Sequence, residues 1–78
     1  MPDARHVRRA RAEVGEALRA GPACVPAKRA LRRAYKLLGR GRVGEAGLHL
    51  DQANGLVNDS RVRAHLTAAI DELRKAVS

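Results

Sequence analysis

Arg29, Arg32, Arg33 and Lys36 follow one another in steps of three and four residues, the spacing that gathers side chains on one side of a helix. Four cations so arranged neutralise phosphates: each contact releases condensed counterions, which gives affinity for a polyanion without reading its sequence. The surroundings reinforce the pattern. The 28 residues from Ala17 to Gly44 contain no Asp or Glu, and they also hold Arg19, Lys28, Arg40 and Arg42. Residues 1 to 42 carry twelve Lys/Arg against three acids, net +9, and residues 43 to 78 carry four against five, net −1, which together give the chain its +8. Arg5, Arg8 and Arg9 extend the basic half toward the start of the chain. A solvated face kept soluble by its charge would hold the same residues, and an acidic protein or an anionic lipid surface would satisfy them as well as DNA or RNA.

The other chemically capable residues form no set. His6, His49, His65 and Cys24 fall on four different elements and lack paired ligand spacing such as His-x-x-x-His, so no metal site is expected. Cys24 has no neighbouring His in sequence to activate it and reads as a small apolar filler; a single cysteine also excludes an internal disulfide and fits a reducing compartment. Asp71 and Glu72 are adjacent, so on a helix they point apart and do not form a carboxylate pair. Gly39-Arg40-Gly41 lacks the strand context and the Lys-Ser/Thr of a phosphate-binding loop. Neither an enzyme nor a cofactor is expected.

The elements that must position the cations all have helical spacing, and no stretch alternates with period two for long enough to make a strand. The fold class is therefore all-α: a compact bundle or αα-hairpin array of four short helices, over about residues 3–20, 26–39, 42–57 and 59–77, in a single domain. Asp3 is the expected cap of the first helix, whose stripe is Val7, Ala10, Val14, Ala17 and Leu18 before Gly21-Pro22 ends it. Pro26 suits the first turn of the second. In that helix Ala27, Ala30, Leu31, Ala34, Tyr35, Leu37 and Leu38 fall within an arc of about 160° at 100° per residue. Lys28, Arg29, Arg32, Arg33 and Lys36 occupy an opposite arc of about 140°, and no acid stands among them.

The third helix carries Val43, Ala46, Leu50, Ala53 and Val57, but Gly44, Gly47 and Gly55 each weaken it by about 1 kcal/mol against Ala and suggest close helix contact or a distorted backbone. Asn58-Asp59-Ser60 then offers caps for a fourth helix built on Val62, Leu66, Ala69, Ile70, Leu73 and Val77, with Asp71 and Lys75 as an i,i+4 pair.

A chain of 78 residues buries only about 60% of its unfolded surface, and with Tyr35 as the single aromatic each contact removes little apolar area from water. Self-association, most commonly a dimer, would supplement such a core. No apolar run approaches the length of about 18 to 20 residues that spans a membrane, and the basic N-terminus is not followed by an uninterrupted apolar stretch, so a cytoplasmic location is expected.

From Ala30 to Asn58 the chain resembles a tetratricopeptide-type helical hairpin. The carriers are Ala34 and Leu37, then Gly41, Ala46, Leu50 and Ala53 in Gly-Arg-Val-Gly-Glu-Ala-x-x-x-Leu-x-x-Ala, while Ala10, Val14, Ala17 and Pro22 echo the second helix of such a unit. The helix starts at Pro26 and Ser60 lie 34 residues apart, the period of that repeat, although Ala30, Ala34 and Asn58 depart from its usual residues. The resemblance implies a protein-binding scaffold. Ala53, Gly55, Leu56, Val62 and Leu66, with Ser60, Arg61 and Arg63 opening the last helix, also look like the second half of a helix-turn-helix whose spacing is one residue too long.

The leading expectation is a non-enzymatic helical protein that binds a polyanion, DNA or RNA, through Arg29, Arg32, Arg33, Lys36, Arg40 and Arg42, with Arg5, Arg8 and Arg9 in support. The alternatives are a protein-interaction or self-assembling module and a helix-turn-helix-like regulator.

Overall fold

The computed structural model describes residues 1–22 and 24–78, which form four helices: α1 Ala4–Arg19, α2 Val25–Gly39, α3 Val43–Leu56 and α4 Ser60–Val77. No strand occurs among the described residues. The body measures 34 × 18 × 18 Å. At 1.5 Å per residue, α3 is about 21 Å long and α4 about 27 Å, so all four must run mainly along the long axis. Around that axis α1 packs on α2, α2 on α3, α3 on α4 and α4 on α1, with α1–α4 and α2–α3 the closest pairings and α3–α4 the loosest.

The ends of the helices follow from their sequence. Asp3 caps α1 by accepting a hydrogen bond from the Arg5 backbone N–H at 3.0 Å, and Asp59 caps α4 by accepting from Arg61 N–H at 2.8 Å and Val62 N–H at 3.3 Å. The Arg5 guanidinium and then the Arg5 backbone N–H hold the Asp3 carboxyl below its ordinary range. A lowered native value means that this contribution is present above the ordinary carboxylate range and is lost as pH falls through the native value. α2 begins at Val25, one residue before Pro26, with Cys24 at the cap position but making no side-chain cap bond. Gly21 and Gly41 take φ of +79° and +74° in the α1–α2 and α2–α3 connections, a backbone region that costs a residue with a Cβ about 1 kcal/mol or more.

The core draws one stripe from each helix: Val7, Ala10, Val14 and Ala17 from α1; Ala27, Ala30, Leu31, Ala34 and Leu38 from α2; Ala46, Leu50 and Ala53 from α3; and Val62, Leu66, Ala69, Leu73 and Ala76 from α4. Its largest fully buried side chains are Leu31, Leu50, Leu66, Val14 and Val62.

Polar contacts fasten two of the seams. Along α1–α4, His6 Nδ1 lies 2.6 Å from Glu72 Oε2 and His65 Nδ1 lies 3.0 Å from Glu13 Oε2. Both helices thus carry His followed seven residues later by Glu, two turns apart, and the antiparallel pairing joins each His to the other helix's Glu. The Asp3 backbone N–H also donates to the Ala76 carbonyl at 2.9 Å. Along α1–α2, the Arg11 guanidinium lies 4.0 Å from the Tyr35 ring centroid and its Nε donates to the Tyr35 carbonyl at 3.4 Å. Such a contact contributes about 0.5 to 2 kcal/mol, depending on its burial.

The glycines of α3 correct an expectation. A Cβ built on Gly44, Gly47 or Gly55 would meet nothing within 4 Å, and none of the three has a positive φ. Neither close helix contact within the chain nor a positive-φ backbone accounts for them, and all three lower the helical preference of α3. Gly55→Ala, near the end of α3, is therefore expected to stabilise the protein by about 0.5 kcal/mol, raising Tm by about 2 to 4 °C in a thermal melt.

The two His–Glu pairs differ in exposure, with side chains of His6 and Glu72 at 22% and 17% and those of His65 and Glu13 at 35% and 33%. A double-mutant cycle on His6 and Glu72 should give a coupling of about 1 kcal/mol in urea unfolding, and the same cycle on Glu13 and His65 a smaller one.

Candidate polyanion-binding groove

On α2 the core-facing positions divide the exposed surface into two edges. The edge with Tyr35 meets α1, where that ring lies beside Gly15 and under Arg11. The other edge turns toward α3, and there Arg29, Arg32, Arg33 and Lys36 line an open groove of about 450 Å³ with His49 and Gln52 of α3; Pro26 and Ala30 complete its lining. All four cations are exposed, whereas Ala30 at the base is only 5% exposed. Small residues beneath and long cations above let two helices pack closely while the charges stay in water.

A second hollow of about 410 Å³ shares Arg33, Lys36 and His49 and continues to the α2–α3 turn, adding Leu37, Arg40, Arg42 and Glu45. The basic surface is therefore continuous from the middle of α2 to the turn. It contains one acid. Glu45 Oε1 lies 3.4 Å from Arg42 Nε, with both side chains 57% exposed. A pair that exposed contributes about 0 to 1 kcal/mol and leaves Arg42 able to exchange Glu45 for another anion. Among the described residues no carboxylate reaches salt-bridge distance of Arg29, Arg32, Arg33, Lys36 or Arg40. Those five cations stand in uncompensated mutual repulsion, which a bound anion would relieve.

Arg5, Arg8 and Arg9 do not line this groove. They are exposed on α1, and Arg5 pairs with Asp3 at 3.4 Å. Arg19, likewise on α1, pairs with Glu16 at 2.9 Å. Arg61 and Arg63 are exposed at the start of α4, with Arg63 Nη2 donating to the Asn54 carbonyl at 3.4 Å.

Sequence reasoning missed His49 and Gln52 as part of the site. Their positions on the helical wheel put both off the buried stripe of α3, but which neighbour that edge faces depends on the packing order around the bundle. His49 makes no hydrogen bond to another side chain among the described residues, unlike His6 and His65. Among the described residues, no group of three or more His, Cys, Asp or Glu gathers as a metal site would require. Cys24 is half-buried against the core.

No protein-family model matches the chain, and no curated protein or solved structure matches it. No described helix is long and apolar enough to cross a membrane.

Proposed function

We propose that the protein binds a polyanion, DNA or RNA, through the groove between α2 and α3, with Arg29, Arg32, Arg33 and Lys36 contacting successive phosphates and Arg40 and Arg42 extending the track. The observation that carries this reading is the convergence of four unpaired cations on one open groove. Gln52 and His49 add hydrogen-bonding groups to the same wall. Repulsion among the cations disfavours the free state, so anion binding gains by relieving it as well as by releasing counterions.

The chemistry favours backbone over base recognition. Base stacking needs an exposed aromatic platform, and Tyr35 is half-buried with its ring occupied by Arg11. The groove therefore suits a phosphate backbone regardless of sequence.

Fluorescence anisotropy with a labelled duplex tests the proposal. With about four phosphates neutralised, raising salt from about 50 to about 200 mM should weaken binding roughly a hundredfold. Replacing Arg29, Arg32, Arg33 and Lys36 together by Gln should remove most of that salt dependence, while Glu45→Gln should tighten binding because it deletes the one acid on the track. A salt-independent affinity, or a fourfold Gln variant that binds like the unsubstituted chain, would contradict it.

A further inference from the structure

The face between α3 and α4 is as apolar as the α2–α3 groove is charged. Because these helices form the loosest of the four pairings, an open hollow of about 340 Å³ runs between them, lined by Gly44, Gly47, Leu48, Ile70, Leu73 and Val77. Leu48 is 72% exposed and Val77 64%, which leaves two large apolar side chains in water beside a recess. The only charged groups lining it are Asp51 on α3 and Arg74 on α4. Neither pairs with the other, and Asp51 has no cation within salt-bridge distance among the described residues.

We infer that this face is the interface of a homodimer, in which the α3–α4 groove of one copy docks on that of a second. Charge selects the occupant. A polyanion has no cluster of cations to meet here, a strongly acidic protein would leave Asp51 unmatched, and a strongly basic one would leave Arg74 unmatched. A second copy brings one acid and one base, so a two-fold arrangement sets Asp51 of each chain against Arg74 of the other, as an isologous interface requires. Shape agrees with charge. Leu48 projects beside Gly44 and Gly47, positions where a Cβ would meet nothing within 4 Å, so each copy supplies both a projection and a recess.

Charge also disfavours the other faces for self-contact. Residues 1 to 42 carry net +9, whereas residues 43 to 78, which include α3 and α4, carry net −1. The 34 × 18 Å face limits the contact to about 600 Å² per copy, or about 1,200 Å² in all, the lower edge of the range for specific interfaces. The dimer is accordingly concentration-dependent. His49 and Gln52 lie on the opposite edge of α3 from Gly47 and Asp51, so dimerisation leaves the basic groove of each copy open and doubles the number on one particle.

Sedimentation equilibrium on the full chain, without nucleic acid, tests the interface at concentrations up to about 1 mM. The unsubstituted protein should show a monomer–dimer equilibrium, and Leu48→Glu should raise its dissociation constant roughly tenfold or more while the helical circular dichroism is retained. Asp51→Arg and Arg74→Asp should each weaken self-association, and an equimolar mixture of the two variants should recover it, because their charges are complementary only across chains. A chain that stays monomeric throughout, a dimer indifferent to Leu48→Glu, or two charge variants that associate no better mixed than apart would overturn the inference.

Discussion

Alanine fills nine of the eighteen buried apolar positions, and the thinness of that core decides how the four helices can be held together. Small side chains let helix axes approach closely, but each contributes little area at roughly 25 cal/mol per Å². Each helix buries at least one larger residue completely, Val14 on α1, Leu31 on α2, Leu50 on α3 and Val62 and Leu66 on α4. The remaining cohesion comes from side chains that clasp neighbouring helices from the rim: the two His–Glu pairs between α1 and α4, and Arg11 across Tyr35 between α1 and α2. A core this thin leaves no room for a charge, and among the described residues no polar or charged residue is buried.

That constraint sets the distribution of charge outside. One acid on each of α1 and α4 is engaged in holding those helices together, since Glu13 and Glu72 face histidines across the seam, while Glu16 and Asp71 pair with Arg19 and Lys75 on their own helices. α2 contains no acid, so its cations have nothing to pair with on their own helix. α3 offers them His49 and Gln52 in place of carboxylates, and Glu45 is turned to Arg42 at the end of the track. The seam between α1 and α4 and the groove between α2 and α3 are thus opposite results of where the sequence places its acids. The α3–α4 face belongs to neither: its glycines and exposed leucine weaken that pairing and leave it open.

The helices were legible in the sequence because their signals are local. Asp3 and Asp59 announce caps that the structure makes, the expected stripes of α1 and α4 are buried except for half-buried Leu18 and Ile70 and exposed Val77, and the apolar and cationic arcs of α2 separate inside from outside. What could not be read were features that depend on which helix edges meet. Glycines at 44, 47 and 55 look alike whether a helix crosses there or solvent does, and here it is open space. His49 joined the basic groove because α3 turns that edge toward α2, a fact of packing order. One long-range signal was available: His6 with Glu13 and His65 with Glu72 repeat a seven-residue spacing on two helices of matching apolar pattern, which foreshadows their reciprocal pairing. The arginines of α1 continue the basic half in sequence but sit outside the groove, because a linear count of charge carries no direction.

The charge asymmetry is proposed to act through one address, the groove between α2 and α3. Backbone amide chemical shifts followed by NMR during titration with a short DNA duplex test it most directly. Perturbations are expected to concentrate on residues 29 to 42 of α2 and its turn and on His49 and Gln52 of α3, while Ile70 and Leu73 of α4 stay still. Shifts spread evenly over every exposed cation, or centred on Arg8 and Arg9 of α1 or on Arg61 and Arg63 of α4, would contradict it.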